Sequence, residues 1–453
     1  MRLSKLRNLT SRNPISHDRI TRYRWLFFGK TRQSASPAFY ARDRKTGSPA
    51  SGGEVCNGRR ATVVFAGGYR VRLKSKPIEK RKINREEFSV KALISAGSVL
   101  TAGLVLLATP FLLQPGLAQE GVPQIAFESV ADFPKLLDGM NFGEVPGVAV
   151  NSKGHVFVFT RSNSASGPAY GPTAAQLLEF TAEGEFIREI GKGLYAWAFA
   201  HSVRIDKDDN IWAIDKGSDM VVKFNPAGRV QWVFGRRKES ADNAQPWEHV
   251  NPPLPPIDGM FREPTDVAWD SKGNIYISDG YINSRVAKFD AHGQWVKSWG
   301  EPGTGPGQFH LPHAIAIDND DNVYVGDRSN HRIQVFDTEG KFLRMFSITV
   351  PPDAATRAVY GNTPTGERLA QVIGQPNSIC ITPGPKQVMF VGESTYPGRI
   401  FKVALDGKVL GVIGKSGREL KEFSGAHALA CPSENLIYAA ETANWRVQKL
   451  ILH

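Results

Sequence analysis

The sequence is short of several things. It has 3 Cys in 453 residues, too few for a disulfide-built scaffold. Charged residues are 22% and hydrophobic residues 41%, a balance that excludes both a wholly disordered chain and a polytopic membrane protein. One apolar run is long enough to cross a bilayer, the 22 uncharged residues Ala92–Leu113. Beyond residue 140 no useful stretch carries the 3.6-residue apolar period of a helix. Acidic residues are scarce at the N-terminus: residues 1–118 hold 23 Lys/Arg against 6 Asp/Glu. That surplus exceeds the whole chain's +12, so residues 119–453 carry −5. A mildly acidic body gives no electrostatic basis for binding nucleic acid.

Residues 1–90 mix Pro, Ser and basic residues (Arg22, Arg24, Arg42, Arg44, Lys45, Arg59, Arg60, Lys80, Arg81, Lys82) without helical or strand period. They read as a disordered basic leader. The alternative is a basic arm for acidic lipid or nucleic acid, but no aromatic or Gly pattern of an RNA-binding module accompanies the charges. Residues 91–118 have the layout of a secretory signal: a basic flank, an apolar core, then Gln114-Pro-Gly-Leu-Ala118 ending in a small residue. Left uncleaved, Ala92–Leu113 is a membrane anchor. Both readings place residues 119–453 outside, in a periplasm or extracellular space. A basic region this long before a signal also fits a misplaced start, with translation beginning near Val90. A peptide from residues 1–80 found in cells excludes that.

From Gln119 onward the chain repeats. Similar apolar runs start at Gly147, His201, Thr265, His313, Asn377 and His427, at intervals of 54, 64, 48, 64 and 50 residues. Such periods mean a solenoid, propeller or array. Within the fourth repeat, Ile315-Ala-Ile317, Val323-Tyr-Val325, Arg332–Phe336 and Phe342–Phe346 are short alternating runs separated by Asp, Asn and Gly turns. Six units of four strands predict an all-β, six-bladed β-propeller over 119–453. The last unit lacks a fourth strand, and Ala126–Val130 is placed to supply it.

The head of the first strand reads Gly147, His201, Thr265, His313, Asn377, His427 down the six repeats. His occupies alternate units, although the chain has only 10 His. Alternate blades of a six-fold ring lie about 120° apart, so the three imidazoles converge if this column faces the channel mouth. Three His plus an open position is the ligand set of a catalytic zinc site; other divalent transition metals also accept imidazole. Capping of a strand start is the competing role for any one of them, but capping alone does not predict alternation. Asp215, Asp279, Asp327, Glu393 and Glu441 follow the second strand of five repeats, and read as loop braces. Insertions at Ser162–Gln176, Arg236–Met260 and Ile348–Gly374 mark a variable face for substrate or a protein partner.

Asn322-Val-Tyr-Val-Gly-Asp327 followed by Asn330-His-Arg-Ile-Gln-Val-Phe336 resembles the NHL-repeat consensus, and Asn274–Asp279 and Asn444–Lys449 fit it too. Among NHL propellers the chain is most similar to the peptidyl-α-hydroxyglycine α-amidating lyases, through Pro264–Ala268, Ser278–Arg285, Ala200-His201 and Pro312-His313. The resemblance implies zinc on His201, His313 and His427. It also implies Tyr281 as proton acceptor and Arg161 as substrate anchor, in cleavage of a C-terminal hydroxyglycine to an amide and glyoxylate. Two positions depart from it: Gly425 stands for a Met, and Ala428 for the Asp of a structural calcium site. The family's other calcium contacts are backbone oxygens, at Val148 and Val203, so calcium is in doubt. The family's disulfides have no counterpart, since Ile282 follows Tyr281, and the pairing of Cys380 and Cys431 is open. Two other classes compete. A non-catalytic NHL propeller that binds a protein or glycan needs no His column. A calcium lactonase needs carboxylates in a column that holds none.

Overall fold

The structure is a computed structural model. It describes residues 121–162, 174–237, 248 and 250–453, with two short stretches at 62–64 and 70–72. The chain divides into two units, residues 1–105 and 106–453. In the first, Thr62–Val64 pairs antiparallel with Arg70–Arg72, a strand pair inside the leader expected to lack structure. The rest of that leader, and the apolar segment at 92–113, lie outside the described residues. Among the described residues no helix is long and apolar enough to cross a membrane.

The second unit is the six-bladed propeller. Blade one runs Glu144–Val150, Val156–Arg161, Gln176–Phe180, Phe186–Ile190, each strand antiparallel to the next. Blades two to five repeat this order from Ala200–Ile205, Pro264–Trp269, Pro312–Ile317 and Ser378–Ile381. Blade six takes Ala426–Ser433, Leu436–Glu441 and Arg446–Leu452 from the C-terminus, and its outermost strand Phe127–Ser129 from the N-terminal side. Leu450 faces Ser129, Ile451 faces Glu128 and Leu452 faces Phe127. The ring therefore closes without a free end, as the missing fourth strand suggested.

Central strands are buried on both faces, which explains their nearly continuous apolar character. In Ile211-Trp-Ala-Ile-Asp215, Ile211 and Ala213 pack toward blade one while Trp212 and Ile214 pack toward blade three. This follows the two-residue alternation of a strand. Six apolar clusters result, one between each pair of neighbouring blades. The turns after the first strands are held by Asp side chains. Asp206, Asp270 and Asp318 each accept backbone N–H groups two and four residues on. Cys380 and Cys431 form a disulfide between the innermost strands of blades five and six, with Cα atoms 6.1 Å apart. The strand ends that flank the three insertions all lie on the face where first strands begin; residues 163–173, 238–247 and 249 of two of these insertions lie outside the described residues.

Candidate functional site

Each column His is placed by a β-bulge. Ala200 pairs with Asp215 and Ser202 with Ile214, leaving His201 as the extra residue. The same shift occurs between Pro312 and Ala314 around His313, and between Ala426 and Ala428 around His427. A bulge re-aims its side chain out of the alternation, and here it aims three rings at one point. The ring centroids form a triangle with sides of 4.8, 4.7 and 4.7 Å. The potential ligand nitrogens all lie within 4.8 Å of one another.

The second nitrogen of each ring is committed. His201 Nδ1 bonds the Thr265 carbonyl at 2.7 Å, His313 Nδ1 that of Asn377 at 2.6 Å, and His427 Nδ1 that of Pro146 at 2.9 Å. A carbonyl only accepts, so Nδ1 carries the proton in all three and every Nε2 lone pair faces inward. The acceptors are the column residues of the following blades. This corrects the blade-one member of the column: it is Pro146, one residue before Gly147. The strand pairing gives the same result, since Gly147 opposite Phe159 matches Ser202 opposite Ile214.

Burial is the first cause holding all three imidazoles well below their usual pKa. For His201 the neighbouring His427 and His313 follow, then Arg161 and Lys216. His427 is also pushed down by Arg161, and His313 by His427 and Arg328. The rings are neutral, as metal ligation requires. Tyr281 Oη lies 3.4 Å from His201 Nε2 and 3.3 Å from His313 Nε2. One hydroxyl proton cannot serve two acceptors at once. A divalent cation answers all three converging lone pairs together, so the donor set fits one.

The recurring carboxylates are the loop braces the sequence suggested. Asp327, fully buried, accepts from His310 N–H, Asn330, Arg332 and Gln334. Asp215, Asp279, Glu393 and Glu441 likewise hold backbone N–H groups of the loop entering their own blade. Each brace fixes the segment just before a column residue.

The residue after the brace position forms a second ring. In blade one this is Arg161, following Thr160, whose hydroxyl accepts the Gly143 N–H as the carboxylates do elsewhere. Arg161, Lys216, Arg328, Ser394 and Thr442 line a cleft of ≈370 Å³ together with Tyr281, Gly425 and His427. Arg161 donates to the Ala200 carbonyl at 2.8 Å and to Glu144 at 2.7 Å, and its guanidinium stacks 3.8 Å over Phe199. Lys216, nearly fully buried, bonds Glu248 at 2.6 Å and sits 3.5 Å over the Tyr281 ring. The Arg328 side chain has no hydrogen bond or ion pair among the described residues, and it faces the same cleft. Lys216 and Arg328 were missed in the sequence, although both follow a brace carboxylate directly. On its other side Tyr281 borders a second cavity of ≈440 Å³, walled by Val250, Leu254, Ile282 and Phe309.

Comparison with known proteins is consistent with these features. A family model described as NHL repeat matches residues 309–336, the loop and strands of blade four. A probable peptidyl-α-hydroxyglycine α-amidating lyase of Caenorhabditis elegans is 30% identical over 267 residues, covering 52% of this chain and 71% of that protein. The chain belongs to this lyase family. The rat peptidylglycine α-amidating monooxygenase is 33% identical over 221 residues, 44% of this chain; the match spans only about a fifth (21%) of that relative. Human NHL repeat-containing protein 3 is 27% identical over 220 residues, with 46% of this chain and 57% of that protein covered. Of the residues expected at the site, His427, Tyr281 and Arg161 line one cleft, and His201 and His313 adjoin His427 and Tyr281.

Proposed function

We propose that the chain is an exported, metal-dependent carbon–nitrogen lyase acting on an N-acyl-α-hydroxyglycine. The observation that carries this is the convergence of three Nδ1-anchored imidazoles beside one phenol and a ring of cations. His201, His313 and His427 would hold the ion, with zinc the first choice. When bound, the ion supplies Lewis acidity toward a substrate oxygen.

The remaining chemistry falls to side chains. Arg161 is held rigid by Glu144 and by its stack on Phe199, and Arg328 carries the unpaired positive charge; both suit a carboxylate. Tyr281, acting as its phenolate, takes the proton of the α-hydroxyl. The C–O bond becomes the carbonyl of glyoxylate, the C–N bond breaks, and the amide nitrogen receives the proton that Tyr281 took. Lys216 above the Tyr281 ring stabilises negative charge on the phenol oxygen during this transfer. The buried disulfide is in keeping with an oxidising compartment and so supports export.

The test is metal analysis of the purified full-length chain, followed by glyoxylate release from an N-acyl-α-hydroxyglycine. A stoichiometric transition metal and turnover are expected, and His313→Ala should lose both together. Turnover that survives His313→Ala sinks the proposal. Absence of metal and turnover in the unaltered protein moves the reading to a binding propeller.

A further inference from the structure

Beneath the three histidines a second set of contacts spans the ring. Arg204 leaves the innermost strand of blade two and meets Asp266 of blade three as a fork, Nε to Oδ1 at 2.8 Å and Nη2 to Oδ2 at 2.6 Å. The same guanidinium donates to the carbonyls of Leu429 in blade six and Ile379 in blade five, both at 3.1 Å. Blades two and five are opposite in a six-fold ring, so this side chain crosses the axis. Asp266 also accepts from Ser202 Oγ at 2.9 Å and from the Ile315 N–H of blade four at 3.3 Å. The pair is largely buried, with 15% and 3% of the two side chains exposed.

Every bonded position lies close to the metal-site geometry. Ser202 adjoins His201, and Asp266 adjoins Thr265, whose carbonyl orients His201. Ile315 is two residues beyond His313, and Ile379 two beyond Asn377, whose carbonyl orients His313. Leu429 is two residues beyond His427. Five of the six innermost strands are thus tied to one guanidinium–carboxylate pair.

The structural calcium that belongs to the family resemblance does not fit these residues. Ala428 supplies no side-chain oxygen where a carboxylate is needed. The neighbouring Leu429 carbonyl and the Asp266 carboxylate are already engaged by Arg204. A fixed guanidinium at this place also repels a second cation. We infer that the Arg204–Asp266 pair is the chain's own axial cation site, replacing calcium as the brace that positions His201, His313 and His427. The metal-affinity part of this rests on the metal reading above; the calcium part does not.

The test uses the full-length chain with Co²⁺ and Ca²⁺ as probes. Wild type should show the same Tm with a calcium chelator as with excess Ca²⁺. Arg204→Met should lower the Tm, and should weaken Co²⁺ binding at least about tenfold, as loss of supporting contacts around metal ligands does. The visible spectrum of bound Co²⁺ should change, and Ca²⁺ should restore nothing. Arg204→Lys keeps the charge but not the fork, and should also fall short of wild type; it serves if Arg204→Met does not fold. A Tm that rises with Ca²⁺ overturns the inference, as does either variant binding Co²⁺ with wild-type affinity and spectrum. If wild type binds no Co²⁺, the metal reading fails. The brace then stands only if Arg204→Met lowers the Tm and Ca²⁺ leaves wild type unmoved.

Discussion

Replacement of Arg328 by Gln isolates the charge of the cleft. Five charged side chains line it: Arg161, Lys216 and Arg328 against Glu144 and Glu248. Arg161 is paired with Glu144 and Lys216 with Glu248, so the surplus belongs to Arg328. A charge-assisted hydrogen bond contributes about 1.5–3 kcal/mol, which is about 10- to 150-fold in binding. Arg328→Gln should therefore raise KM for an N-acyl-α-hydroxyglycine by that factor and leave the methyl ester of the same compound nearly unaffected. Stability should hold within about 0.5 kcal/mol, because the side chain has no hydrogen bond or ion pair among the described residues. The assay is the initial rate of aldehyde release, glyoxylate from the acid and methyl glyoxylate from the ester, with both proteins, and a thermal melt of each. An equal loss on acid and ester would refute the reasoning, since it would place Arg328 in the fold or in the chemical step. An unchanged KM on the acid would refute it as well.

Other side chains give separate readings. Tyr281→Phe removes the proton acceptor and keeps the ring under Lys216, so kcat should fall about 10²- to 10⁴-fold with metal content retained; full turnover contradicts the role. Asp327→Asn replaces the oxygen that three donors share in blade four by an amide, and should cost about 3–5 kcal/mol. Differential scanning calorimetry should show a Tm lower by at least about 6 °C; a melt within 1–2 °C of wild type, on the order of 0.5 kcal/mol, denies the brace its weight. Glu263 is pushed up to about 7 by burial, above its ordinary 4.5, although Lys216 opposes this. A raised carboxyl favours the folded state below 4.5 and loses that contribution as pH rises through about 7. Glu263→Gln should flatten this decline, on the order of 3 kcal/mol, in denaturant titrations run between pH 4.5 and 8. An identical slope in both proteins rules Glu263 out as its source.

Much of the propeller was legible because each blade repeats the same local instructions. Val323-Tyr-Val325 and its counterparts alternate as strands, and Asp318 with Asn322 writes its own turn. The missing fourth strand of blade six was a count, and Phe127–Ser129 answers it. The His column was legible for the same reason: a position that repeats can be compared with itself. Its one error, Gly147 for Pro146, comes from the bulge. An extra residue slips the register without leaving a mark in composition.

What stayed hidden is what repetition does not express. The Cys380–Cys431 bond needs two strands from adjacent blades at one height, which spacing along the chain does not fix. Arg328 and Lys216 follow equivalent brace carboxylates, yet among the described residues one is unpaired and the other is covered by Glu248, a residue from an insertion. Arg204 is the clearest case. Its partners lie 62, 175 and 225 residues away, in three different blades. No local pattern can announce such a contact, because only closure of the ring brings the partners to the axis. The repeats therefore specify where six strands meet. The residues that break the repeat, three histidines in alternate blades and one arginine across the axis, specify what the meeting place can hold.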